Sequence, residues 1–214
     1  MIHGSRTRSS GFTLIELLIV VAIIGTLLGI LLPTLGVVRE RGKAMACLNE
    51  IRQIETALST YEGIHRDYPP STLTGIGIRG DGVNEGNETL LACLTTEQGG
   101  PFWEVHEDKL VNTDEDKAPR DISTYTRSTI RTNALYEIAD PWQNPYVYLH
   151  GSDIAKTFRA KYLSEFGVQD VRAVTEGEKK GITPGEGKYQ IWSFGSNGVN
   201  DQGLEDDIVS WKSK

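Results

Sequence analysis

Ser10-Gly11-Phe12-Thr13-Leu14-Ile15-Glu16 opens an apolar run that reaches Leu32 with Glu16 as its one charged residue. The run covers about 21 residues, and at about 1.5 Å rise per residue it spans about 30 Å, the thickness of a bilayer's hydrocarbon core. A carboxylate inside such a segment costs on the order of 2.5–3.5 kcal/mol even on lenient insertion scales, so Glu16 needs a partner and is a functional candidate. Residues 1–11 are polar and carry Arg6 and Arg8. An ordinary secretory signal has a shorter apolar block that ends in a small-residue cleavage site. Here the block is followed by Pro33-Thr34-Leu35-Gly36 instead. On the residues alone, the segment reads as an uncleaved signal anchor. The leader arginines keep the N terminus cytoplasmic and send residues 37–214 across the membrane.

The longer stretch Gly11-Phe12-Thr13-Leu14-Ile15-Glu16-Leu17-Leu18-Ile19-Val20-Val21-Ala22-Ile23-Ile24-Gly25 resembles the processing and assembly signature of type IV pilins and type II secretion pseudopilins. The resemblance implies that a membrane prepilin peptidase cuts after Gly11 and methylates the new amino terminus at Phe12. It implies further that Glu16, one helical turn inside the mature end, attracts the Phe12 amine of a neighbouring subunit entering a growing fibre. Opposite charges attract strongly in a low-dielectric medium, and each is costly if left unpaired. Gly25 and Pro33 are poor helix residues. The helix either loosens between them, as in some filaments of the family, or tolerates both, as many membrane helices do.

The chain has 214 residues and a formal net charge of -7. Its 22 basic residues become 20 once Arg6 and Arg8 are removed with the leader, against 29 acidic ones. No basic stripe remains to bind phosphates, which excludes nucleic acid as a partner. Cys47 and Cys93, the two cysteines, lie on the extracytoplasmic side, where a disulfide would persist. The alternative is two separate, small apolar side chains.

Beyond Pro33, the residues Ala44, Cys47, Leu48, Ile51, Ile54, Leu58 and Tyr61 recur at the three-and-four spacing of one helix face. The expected organisation is a leader over residues 1–11, the transmembrane half of a long helix over 12–33, its amphipathic half over 34–62 and a globular domain over 63–214. Gly63 should end the helix, and Tyr68-Pro69-Pro70 should turn the chain. A glycine-rich loop over residues 72–87 contains Gly75-Ile76-Gly77-Ile78-Arg79-Gly80. This matches the dinucleotide-binding pattern by letters, but lacks the strand and helix that would give it meaning. The acidic stretch 81–88 reads as a solvated turn, 88–97 as a short helix and 102–120 as a charged surface segment.

Tyr146-Val147-Tyr148-Leu149 and Tyr189-Gln190-Ile191-Trp192-Ser193-Phe194 are aromatic, β-prone strands, the first led in by Asp140-Pro141-Trp142. Trp142, Tyr146, Tyr148 and Trp192 are expected in the core. The polar stretch 151–187 between the strands reads as an insertion with a helix near residues 154–166. The fold class is therefore α+β and pilin-like: a long N-terminal helix packed on a small antiparallel sheet, with a C-terminal loop.

That loop, Gly195-Ser196-Asn197-Gly198-Val199-Asn200-Asp201-Gln202-Gly203-Leu204-Glu205-Asp206-Asp207-Ile208, interleaves oxygen donors with glycine. Such a loop suits a hard cation, although the spacing is not that of an EF-hand, and a solvated acidic turn has the same composition. The C-terminal region resembles the calcium-binding end of the major pseudopilin of type II secretion. The resemblance implies calcium, with Asn197 and Asp207 at the best-matching donor positions and Asp201 and Asp206 as further candidates.

No Gly-x-Ser-x-Gly elbow, His-Glu-x-x-His, Cys-x-x-Cys or phosphate loop is present, so no enzyme is expected. The reading is a structural subunit of a type II secretion pseudopilus, anchored once in the inner membrane with its C-terminal domain in the periplasm. The family implies as partners other copies of this chain, the prepilin peptidase, minor pseudopilins, the inner-membrane assembly platform and membrane lipid. The alternative is a type IV pilin, major or minor, serving adhesion, motility or DNA uptake.

Overall fold

The protein is described here by a computed structural model covering residues 12–154, 156, 158–175 and 182–212. One helix, α1 (Leu14–His65), opens the chain, and the division between two compact units falls inside it, between Gly42 and Lys43. In the first unit every described side chain from residue 12 to residue 32 is exposed, and the surface is apolar apart from Glu16 and two threonines. The helix is continuous from residue 25 through residue 33, so the single chain shows no loosening there.

In the second unit the three-and-four spacing does what the sequence demands: Cys47, Ile51, Ile54 and Leu58 are fully buried. Burial of each large aliphatic side chain stabilises the unit by on the order of 2 kcal/mol. The helix outlasts Gly63 and ends at His65, with Arg66 at φ +65° in the left-handed position that glycine more often takes. The rings of Tyr61 and His65 stack four residues apart at 4.1 Å, and both meet Phe102 edge-on. That contact holds the last turn together past the glycine.

A second helix, α2 (Glu85–Leu94), begins three residues before the expected short helix. The strands are β1 (Leu110–Val111), β2 (Glu137–Ile138), β3 (Val147–His150), β4 (Arg159–Ser164), β5 (Gly167–Arg172), β6 (Tyr189–Ser193) and β7 (Ile208–Val209). β3, β6 and β7 form an antiparallel sheet with β6 in the middle, in which Val147 faces Trp192 and Trp192 faces Val209. The sheet is buried on both faces because side chains alternate along a strand. Tyr146, Tyr148 and Ile191 join Cys47, Ile51, Ile54, Leu58, Leu90 and Leu94 in one cluster. Val147, Leu149 and Trp192 join Tyr162, Val171, Phe194 and Val209 in another.

Three expectations are corrected. The helix expected near residues 154–166 is absent: one helical turn, Gly151–Ile154, leads into the β4–β5 hairpin, with Tyr162 paired to Gln169. Tyr162 and Val171 are the fully buried residues of this hairpin, and most of its others face water, so a strand period of two carried by so few apolar residues reads as polar sequence. The stretch 81–88 is not a solvated turn, since Asn84, Asn87 and Glu88 are buried. Asn87 fastens α2 to the sheet by donating from Nδ2 to the carbonyls of Ile138 and Tyr146 and accepting from the Ile138 N–H. Trp142 is half-buried rather than core, with the Lys43 ammonium 5.7 Å from its ring centre.

Cys47 and Cys93 are free thiols, both buried. The Tyr146 hydroxyl donates to Cys47 Sγ at 3.5 Å and to Glu50 Oε2 at 2.8 Å. Burial pushes both thiols up to about 12, which leaves them uncharged and unreactive.

Candidate functional site

At the start of α1, Thr13 caps the helix and Glu16 is its third residue. The Thr13 N–H and hydroxyl donate to Glu16 Oε2 at 2.8 and 2.7 Å, and the Glu16 N–H donates to Thr13 Oγ1 at 3.3 Å. This reciprocal capping box satisfies helix-start donors that have no intrahelical partner. The Thr-x-x-Glu spacing signals it in the sequence, but a reading of Glu16 as a lone intramembrane charge passes over it. Among the described residues every hydrogen bond of this carboxylate uses Oε2. Phe12 is 77% exposed beside it. Gly11 and the leader lie outside the described residues.

The C-terminal loop joins three of its four candidate residues through Asn197, which bonds to both Asp201 and Asp206. Asp206 Oδ2 accepts from the Ser196 hydroxyl and the Asn197 N–H, at 2.8 and 2.9 Å. Asn197 donates from Nδ2 to Asp201 Oδ2 at 3.0 Å, and its Oδ1 accepts the Val199 N–H. Asp207 is buried: Oδ2 accepts the Gly203 N–H at 2.7 Å, while Oδ1 has no hydrogen-bond partner. Burial, followed by the charges of Asp201 and Asp206, pushes the Asp207 carboxyl up to about 7. Gly195 is obligatory here. It sits at φ +66°, and a Cβ on it would lie 2.2 Å from the Asp206 carbonyl oxygen.

The expected insertion holds this loop in place. Gln169 on β5 accepts the Asn200 N–H through Oε1 at 2.6 Å and donates from Nε2 to the Gly198 carbonyl at 2.7 Å. Asn200 and Gln202 both donate to the Asp170 carbonyl. Asn200 Oδ1 also accepts from the Trp192 indole, which ties the loop to the central strand. The loop is therefore fixed on two sides by amide side chains that do not stand out in the sequence.

The donor set fits a hard cation in chemistry, being all oxygen, and the orphaned Asp207 Oδ1 is the open position it offers. Asp206 Oδ2, Asp201 Oδ2 and Asn197 Oδ1 are already engaged by donors of the loop, and the carboxylates of Asp201, Asp206 and Asp207 do not converge as a group of three.

Residues 6–32 match the family described as the prokaryotic N-terminal methylation motif. A stretch of 64 residues is 33% identical to the protein named type II secretion system core protein G of Aeromonas hydrophila, covering 30% of this chain and 45% of that protein. The chain thus matches less than half the length of that curated relative. No solved structure matches it.

Proposed function

From a chain that carries the prokaryotic N-terminal methylation motif of type IV pilins and pseudopilins, we infer a structural subunit of a type II secretion pseudopilus, cut after Gly11 and methylated at Phe12. The observation that carries this reading is the wholly exposed apolar stretch of α1 with Glu16 at its start. Such a surface is stable only in lipid or against other copies of itself, and the transfer from one to the other is filament assembly. Stored subunits would sit in the inner membrane with the second unit in the periplasm. Assembly would pack the apolar helices together, and the Glu16 carboxylate would take the Phe12 ammonium of the neighbour. Work on cargo is then mechanical, with no catalytic group required.

The test is Glu16→Ala in cells that make the partner proteins. Chemical cross-linking of wild type gives a ladder of multimers, and the variant stays monomeric. The second unit should melt at the same temperature in both, since the hydrogen bonds of Glu16 are made with Thr13 at the start of the helix. An undiminished ladder from the variant would refute the role of Glu16.

Calcium belongs to the same proposal. It would be held by Asp207 and Asp201 with loop carbonyls, with Asp206 and Asn197 shaping the loop, and would neutralise charge that the fold otherwise leaves buried. Because the β5 amides already fasten the loop, loss of calcium should loosen the C-terminal segment rather than unfold the unit.

A further inference from the structure

Away from the C-terminal loop, five carboxylates from three parts of the chain meet at the start of α2. Asp81, Asp114 and Asp116 place carboxylate oxygens within 4.8 Å of one another, and so do Glu88, Asp114 and Glu137, with Asp114 common to both groups. Two oxygens that both touch an ion at about 2.4 Å lie no more than about 4.8 Å apart, so each group is compact enough to share one ion. Glu88 is 2% exposed and Glu137 fully buried. Neither oxygen of Glu88 has a hydrogen-bond partner, and one oxygen of each of Asp114 and Asp116 is likewise buried and unpartnered. None of the ion pairs Lys109–Glu50, Arg131–Glu97, His150–Asp67 and Lys156–Asp153 reaches this cluster.

Ordinary packing does not account for Glu88. Acidic residues are favoured in the first turn of a helix, but the benefit is about 1 kcal/mol, against several for a buried and unpaired carboxylate. Neighbouring donors serve the other members instead. Asn84 donates from Nδ2 to Glu137 Oε1 at 2.7 Å and to Asp114 Oδ2 at 3.2 Å, and the Thr113 N–H donates to Glu137 Oε2 at 3.1 Å. Asn84 is itself held by accepting the Leu163 N–H. The arrangement is thus rigid on the α2 side, open to solvent on the Asp81 side, and lacks positive charge in the middle.

We propose that Asp81, Glu88, Asp114, Asp116 and Glu137 form a divalent-cation site that takes calcium. The ligand set contains oxygen and no His or Cys, which suits a hard cation over zinc, and so many carboxylates in an irregular array suit the 6–8 oxygens of calcium over the strict octahedron of magnesium. The bound ion would clip the start of α2 to the 112–116 loop and to β2, fixing the part of the chain that carries no resemblance to the pilin signature. Without an ion, the buried carboxyls of Glu88 and Glu137 must hold protons. Burial, followed by the charges of Asp116, Asp114, Glu137 and Asp81, pushes Glu88 up to about 11.

The site is independent of the C-terminal loop, so the two can be told apart. The experiment is calcium binding to the full-length chain in detergent micelles after chelator treatment, by equilibrium dialysis with calcium alone, on wild type, Glu88→Gln, Asp114→Asn and Asp207→Ala. Glu88→Gln and Asp114→Asn should each bind one ion per chain fewer than wild type, while Asp207→Ala keeps that ion. Without calcium Glu88 holds a proton and Gln matches that neutral form, so Glu88→Gln should then melt no lower than wild type, which separates lost binding from lost folding. Wild-type binding in both cluster variants would overturn the proposal, as would a wild type that binds no calcium. An Asp207→Ala chain that binds as much as wild type would refute the C-terminal site and leave this one standing.

Discussion

Asp140 is fully buried in the turn before β3. Its Oδ1 accepts the N–H groups of Trp142 at 2.8 Å and Asn144 at 3.0 Å, and its Oδ2 accepts the Ser193 hydroxyl at 2.6 Å. Burial outweighs those bonds and pushes the carboxyl from 3.8 up to about 6. The folded chain therefore binds this proton more tightly than the unfolded chain, by about 3 kcal/mol at 1.36 kcal/mol for each tenfold change. Because the folded value is raised, the contribution is fully present below pH 4. It is lost as pH rises to about 6 and is absent at pH 7. Asp140→Asn keeps an Oδ1 acceptor for both N–H groups but cannot titrate. The perturbation is thus a comparison of wild type with Asp140→Asn by urea unfolding of the full-length chain in detergent, followed through the fluorescence of its four tryptophans. The stability of wild type relative to the variant should fall by about 2.5 kcal/mol between pH 4 and pH 7. Taking the difference cancels the other raised carboxyls, which titrate in both proteins. Parallel pH curves would refute the reasoning.

Tyr146→Phe removes the buried hydroxyl that donates to Glu50 and should destabilise the second unit by about 2 kcal/mol, as for a hydrogen bond to a charged group; a melting temperature equal to wild type would contradict this. Gly195→Ala puts a Cβ against the Asp206 carbonyl at a left-handed φ. It should cost on the order of 2 kcal/mol and increase proteolysis within residues 195–207, whereas unchanged protease resistance would mean that the loop is not held as described.

The long helix was legible because its signal is repeated: a membrane-length apolar run, then a three-and-four face that buries Cys47, Ile51, Ile54 and Leu58. Two strands of the central sheet, β3 and β6, were legible for a similar reason, each being dense in aromatic and β-branched residues, whereas the short β7 was read as the end of the C-terminal loop. The β4–β5 hairpin was not, since its pattern rests on Tyr162 and Val171 amid polar residues. Site residues divide along the same line. Phe12 and Glu16 stand in a short, dense motif, and Asp207 stands in a loop of uniform composition. The acidic cluster is assembled by folding from residues 81, 88, 114, 116 and 137, and no window of sequence contains it. Glu88 in particular reads as a surface charge, and only the packing of α2 on β2 and β3 reveals that it is buried.

Mass spectrometry of the amino terminus of the protein extracted from the membranes of its own cells tests most directly whether the chain is a processed filament subunit. A processed subunit begins at Phe12 and carries one methyl group on its amine. A chain that still begins at Met1, or one cut elsewhere with an unmodified amine, would contradict that reading.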